Sequence, residues 1–228
     1  MDQIVLIPGL LCDQTVWEPL LPKLGDRAVV ADLSTQDDIT AMAQDCLALC
    51  SGQIAVAGHS MGARVAIEIA RLAPERLTRL ALLDTGIHSL REGEIEKRRA
   101  LVTLAHDQGM AALAERWLPG MVYEPNRQNA DLMKRLTDMV LRMDPDLHER
   151  QITALINRPN AAEHFATISC PVLLVVGEQD EWSPVSQHQA MQRLLPGARL
   201  EVVQGAGHFA PVERPDIVTP ILSEFLAS

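Results

Sequence analysis

Three observations predict a doubly wound α/β fold with a mostly parallel sheet of about six strands and an inserted helical cap. Short, fully apolar runs recur along the chain, longer helical patterns separate them, and one long stretch contains no such run. Apolar runs without polar alternation suit parallel strands covered on both faces. They fall at 4–7, 28–31, 54–57, 80–83 and 172–176, with a weaker one at 200–203 after the turn signal Pro196-Gly197. Helix candidates lie between and after them at 39–50, 61–73, 183–195 and 211–226. In the third of these, Ser183 before Pro184 has the pattern of an N-cap followed by proline at the first helical position. Strand–helix alternation of this kind builds a sheet with helices on its faces.

From 86 to 168 the rhythm changes. Amphipathic pieces at 92–106, 111–118, 130–143 and 145–157 follow one another with no strand between them. The expected organisation is therefore a core formed by 1–85 and 169–228, with 86–168 inserted as a helical lid.

Composition narrows the function classes. The chain has 228 residues, 47% hydrophobic and 22% charged, enough to bury a core without metal or disulfides. Its formal net charge of −10 argues against nucleic-acid and anionic-lipid partners, which need a basic surface. The four cysteines form no CxxC, and Cys46 and Cys50, four apart, suit packing as small hydrophobes on one helical face. The N-terminus lacks the positive region of a signal peptide, and no apolar stretch approaches the ~20 residues of a membrane span. The expectation is a cytoplasmic protein without metal or cofactor that acts on a small molecule.

The chemistry concentrates at strand ends. After the run 54–57 comes Gly58-His59-Ser60-Met61-Gly62, followed at once by a helical pattern. A G-x-S-x-G between strand and helix holds its serine on a sharp, strained turn, with the helix N-terminus behind it. Serine needs a base, and the base needs an orienting acid, in the order Ser, Asp or Glu, His for this elbow. Asp180 follows the run 172–176, and His208 lies in the glycine-rich Gly205-Ala206-Gly207-His208 after the last strand. All three fall beyond the carboxyl ends of strands, where open α/β sheets bind ligands. Asp84 also ends a strand. It is read as a strand cap or a backbone hydrogen-bonder near the elbow, with Asp180 the favoured orienter. His59 is expected to pack under the elbow or against the pocket wall; no HxxxH or HExxH suggests a metal site. Two backbone donors are expected for an oxyanion, the N–H of Met61 and that of Leu10 in the loop after the first strand.

These segments, together with Ile4-Val5-Leu6-Ile7-Pro8-Gly9, Leu82-Leu83-Asp84, 171–180 and Glu213-Arg214-Pro215, resemble the α/β-hydrolase superfamily over nearly the whole chain. The likeness is closest to small lidded esterase-like serine hydrolases, whose cap follows the sixth strand of the family sheet. It implies Ser60 as nucleophile, His208 as base, Asp180 as orienter, and the Leu10 and Met61 backbones as oxyanion hole. It further implies six parallel strands in family order 4-3-5-6-7-8, without the family's usual antiparallel edge. Pro8-Gly9 stands where the family usually has His-Gly, and the serine at 60 disfavours dehalogenase and epoxide-hydrolase chemistry. The implied reaction is cleavage of a small carboxylic ester or thioester through an acyl-enzyme. Relatives with the same triad also act as lyases or synthases, including the synthase of menaquinone biosynthesis, or as carbon–carbon bond hydrolases. In the lid, Trp117, Met121, Met139 and Met143 are candidates for the substrate wall, since methionine adapts to varied apolar shapes. Arg127, Arg135, Arg142, Arg150 and Arg158 read as a solvated face, with one of them meeting an anionic substrate as the alternative; the acyl chain is expected to be uncharged and short to medium in length.

Overall fold

The computed structural model describes residues 2–227. Six strands form one sheet: β1 (Gln3–Ile7), β2 (Ala28–Val30), β3 (Ile54–His59), β4 (Leu77–Leu83), β5 (Val172–Gly177) and β6 (Arg199–Val203). Every neighbouring pair is parallel, in the order β2-β1-β3-β4-β5-β6. This matches the expected order, and among the described residues no strand pairs antiparallel with the sheet. Every residue of β3 and β5 is buried, whereas the edge strands β2 and β6 are largely half-exposed. Full burial is why the central strands read as unbroken apolar runs and the last one reads weakly.

Helices connect and cover the strands. The helix Met61–Leu72 leaves β3 directly and buries ten of its residues, Met61 to Ala70. Between β4 and β5 there are only helical elements and loops, chiefly Glu94–Trp117, Ala130–Leu141 and Pro145–Ile156. The pieces expected at 92–106 and 111–118 form one kinked helix, Glu94–Trp117; Gly109, at φ 83° and ψ 172°, makes the break that an L side chain would resist.

Three local expectations are corrected. Ser183 is not an N-cap: its N–H donates to Asp180 Oδ1 at 2.9 Å, and the helix Val185–Leu194 starts after Pro184 instead. The final pattern, expected as one helix, is a single helical turn Ala210–Glu213 and a helix Pro215–Ala227, separated at Arg214, whose φ −133° and ψ 60° are not helical. Cys50 lies beyond the helix Ile39–Ala48 that carries Cys46, although both thiols are buried. No helix among the described residues is long and apolar enough to cross a membrane.

Candidate active site

Ser60 sits between β3 and the helix Met61–Leu72 at φ 55° and ψ −113°. That is a region a non-glycine residue occupies only when its surroundings enforce it. Here the enforcement is visible. Ser60 N–H donates to the Leu83 carbonyl at 2.9 Å, and its carbonyl accepts from Thr85 Oγ1 at 3.1 Å. A Cβ on Gly62 would run into the Ile7 and Pro8 carbonyl oxygens, and one on Gly58 into the backbone of Gly62 and Ala63. Both glycines of the motif are therefore required by close approach.

The His208 ring bridges Ser60 and Asp180. Its Nε2 lies 2.7 Å from Ser60 Oγ, and its Nδ1 lies 2.8 Å from Asp180 Oδ2. A carboxylate only accepts, so Nδ1 carries the proton and Nε2 offers its lone pair to the serine hydroxyl. Asp180 Oδ1 accepts from the N–H groups of Trp182 (2.8 Å) and Ser183 (2.9 Å). Burial alone would raise the Asp180 carboxyl. The His208 ring and those two backbone donors outweigh it and hold Asp180 below the ordinary carboxylate range.

The backbone of His208 is fixed on both sides. Its N–H donates to the Met121 carbonyl (2.8 Å), and its own carbonyl accepts from His59 Nε2 (2.8 Å). Burial and the neighbouring His208 push His59 down to about 3, so its ring is neutral and serves as that donor. Asp84, at the end of β4, does not reach His208. Its Oδ1 accepts from Gly177 N–H at 2.9 Å, and its Oδ2 stands 3.7 Å from His59 Nε2. Burial and the nearby Asp180 raise its carboxyl well above the usual range.

Two residues with long-range contacts were not legible in the sequence as parts of this site. Buried Glu213 accepts through Oε1 from Gly207 and Phe209 N–H (2.9 and 3.1 Å). Its Oε2 accepts from Tyr123 N–H and Asn126 Nδ2 (both 2.9 Å), so one carboxyl ties the His208 loop to the helical segment. Gln151, on the helix Pro145–Ile156, accepts from Leu11 N–H at 2.8 Å and donates to the Leu33 carbonyl at 3.1 Å. It thereby anchors the loop after β1, where Leu11 has φ 57°. The sequence signal for Glu213 was its place in Glu213-Arg214-Pro215; none marked Gln151.

A cavity of about 800 Å³ opens above Ser60, within the range of small-molecule sites. Leu10, Met61, His59 and His208 line it from the sheet side, and Trp117, Met121, Ile152 and Leu155 from the helical segment. Met139 and Met143 are not on its wall: Met139 is fully buried in the core and Met143 packs against it. The five arginines singled out in the sequence also lie elsewhere. Arg135 and Arg142 pair with Glu18 and Asp13, Arg127 and Arg150 bind backbone carbonyls, and Arg158 pairs with Glu94. The cations that do line the cavity are Arg64, Arg91, Lys97, Arg98 and Arg116. Among the described residues, no cluster of three or more His, Cys, Asp or Glu side chains is placed to hold a metal ion.

Comparison with known proteins adds four findings. Residues 4–220 match the model of the alpha/beta hydrolase family. Over 183 residues the chain is 31% identical to a putative 2-succinyl-6-hydroxy-2,4-cyclohexadiene-1-carboxylate synthase of Bacillus subtilis. That match covers 77% of this chain and 66% of the relative, just under two thirds of its length. It is also 24% identical to a putative carbamate hydrolase of Caulobacter sp., covering 98% and 90% of the two chains. Its structure is similar to that of a thermophilic esterase from Thermogutta terrifontis, solved with malate bound. The TM-score is 0.91 at 28% identity, covering 100% of this chain and 90% of the esterase.

Proposed function

The chain belongs to the alpha/beta hydrolase family, and we propose that it cleaves a small carboxylic ester or thioester through an acyl-enzyme on Ser60. The observation that carries this reading is the pair of hydrogen bonds on one ring, 2.7 Å to Ser60 Oγ and 2.8 Å to Asp180. His208 Nε2 takes the hydroxyl proton as Ser60 Oγ attacks the acyl carbonyl, and Asp180 stabilises the resulting imidazolium. The N–H groups of Leu10 and Met61 receive the tetrahedral oxyanion. Two features support that pairing: Met61 opens its helix, where N–H groups lack intrahelical acceptors, and the adjacent Leu11 N–H is already taken by Gln151. As the tetrahedral species collapses, the leaving alcohol or thiol takes the proton from His208. A water molecule, deprotonated by the same nitrogen, then attacks the acyl-serine and releases the carboxylic acid. In this scheme 86–168 is the lid over a core of 1–85 and 169–228, with Trp117 and Met121 as substrate wall.

A second reading is a lyase or synthase in which the Ser60–His208 pair moves a proton and no acyl-enzyme forms. The 31% identity to the putative carboxylate synthase favours it. One experiment separates the two. After reaction with p-nitrophenyl acetate and acid quench, mass spectrometry of the ester-hydrolase finds an acetyl group on Ser60. S60A shows neither adduct nor more than about a thousandth of wild-type turnover. Retention of over a tenth of activity by S60A overturns the nucleophile assignment; an inactive S60A with no adduct in the wild type supports the second reading.

A further inference from the structure

The cavity above Ser60 concentrates positive charge in a chain whose net charge is −10. Five cationic side chains line it, against two carboxylates, Glu92 and Glu94. The second is already spoken for. Glu94 accepts from Arg98 at 2.9 Å and from both terminal nitrogens of Arg158 at 2.7 and 3.0 Å. The Arg158 side chain is 2% exposed, so that pair is a buried structural one.

Arg64 is left over. It is 9% exposed and lines the cavity, and its guanidinium donates to the His88 carbonyl at 3.2 Å. Among the described residues no carboxylate lies within ion-pair distance of its guanidinium. Burial, reinforced by the nearby Arg158, pushes Arg64 down to about 9. Glu94 offsets this only in part and is itself shared with Arg98 and Arg158; a buried guanidinium with spare donors and no carboxylate in ion-pair contact is costly unless an anion completes it. Its position fits a ligand that also reaches the serine: Arg64 lies in the first turn of the helix that follows Ser60, and both side chains line the same cavity.

We propose that Arg64 anchors a subsite for a carboxylate carried by the substrate a few bonds from the reacting carbonyl. The guanidinium fork matches a planar carboxylate with two parallel N–H···O bonds, and the surrounding cations supply an attractive field. The proposal rests on the reading of Ser60 as the reacting group, and it replaces the expectation of an uncharged acyl chain. That expectation followed from assigning the arginines of 86–168 to a solvated face. The arginine with the unmet charge lies instead on the elbow helix, outside that segment.

The test compares p-nitrophenyl hemisuccinate with p-nitrophenyl butyrate, two four-carbon acyl esters differing in a terminal carboxylate. The wild type should favour the hemisuccinate by at least about tenfold in kcat/KM. R64M should lower that preference ratio by about 100-fold, and R64K by less, keeping the charge but not the fork. A binding arm needs no turnover: succinate should stabilise S60A in a thermal-shift assay and fail to stabilise S60A/R64M, with inorganic phosphate clearly weaker than succinate. Equal cleavage of both esters by the wild type, or an unchanged ratio in both Arg64 variants, overturns the subsite while leaving the hydrolase reading intact. Phosphate binding tighter than succinate also overturns it. If neither ester acylates Ser60 but succinate binds S60A through Arg64, the ester reading fails and the subsite stands.

Discussion

Replacing Asp180 by asparagine should nearly abolish turnover while leaving the fold intact, and the structure sets the size of the loss. Oδ1 accepts two backbone N–H groups, so an asparagine at 180 keeps its carbonyl oxygen there and turns its amide nitrogen toward His208 Nδ1. Two donors then face each other. The ring relieves the conflict by moving its proton to Nε2, which now donates to Ser60 Oγ and cannot take its proton. Returning to the productive tautomer forfeits a charge-assisted hydrogen bond, about 1.5–3 kcal/mol, and leaves a buried donor unmet, about 1–3 kcal/mol. Together these are about 2.5–6 kcal/mol, or a drop in kcat of about 10²–10⁴-fold. D84N is the matched comparison. Its raised carboxyl is already held toward the neutral form, and an asparagine oxygen can keep the Gly177 N–H, so the loss should stay within about tenfold, ~1.4 kcal/mol. Initial rates on one ester, with circular dichroism to verify folding, decide the matter. A deeper drop for D84N than for D180N refutes the assignment of Asp180 as orienter.

Two further outcomes follow from the same carboxyls. Asp180 is held below its ordinary value in the folded state, so its contribution to stability is present above the unfolded value near 3.8 and is lost as pH falls through the folded one. The gap in Tm between wild type and D180N should therefore narrow from pH 6 to pH 3.5; a constant gap refutes the favourable pairing of the ionised carboxylate. E213A strands three backbone donors, Asn126 keeping the Gly205 carbonyl, and should cost about 3 kcal/mol, a fall in Tm of roughly 6–12 °C. As a positioning residue for the His208 loop, Glu213 should affect kcat more than KM; a Tm loss with unchanged kcat leaves it a purely structural tie.

The sheet was legible because each strand is a local signal. Burial on both faces leaves β3 and β5 no polar alternation to confuse the pattern, and Ser60, Asp180 and His208 each sit a fixed few residues past such a run. The helical segment was legible only as helical. Met139 and Met143 lie on an apolar stripe like that of Trp117 and Met121, and which stripe faces the cavity depends on packing, which spacing alone does not encode. Arg64 was hidden for a related reason. Its place on an amphipathic helix reads as solvent-facing until its burial and the lack of an ion-paired carboxylate are seen together. Gln151 and Glu213 act through contacts 140 and about 90 residues away in sequence, with no periodic trace.

Asp84 and Asp180 end adjacent strands and are both buried, yet their carboxyls are driven in opposite directions, and the difference lies in what each faces. Asp180 meets the Nδ1 proton of His208 and two backbone N–H groups, all of which favour the ionised form. Across from Asp84, His59 is spent on the His208 carbonyl and held neutral, so the charge it would need never forms. The proximity of Asp180 then raises Asp84 further, because two like charges this deep disfavour joint ionisation. The charge facing the His208 ring is therefore the favoured one, while the second carboxyl, disfavoured as a charge, braces β4 against the end of β5 through the Gly177 N–H. An inversion of this order, with Asp84 ionised and Asp180 neutral, would leave the ring without its orienting charge. Carboxyl titrations by NMR should accordingly place the Asp180 transition below that of Asp84, and the reverse order would remove the electrostatic basis for choosing Asp180.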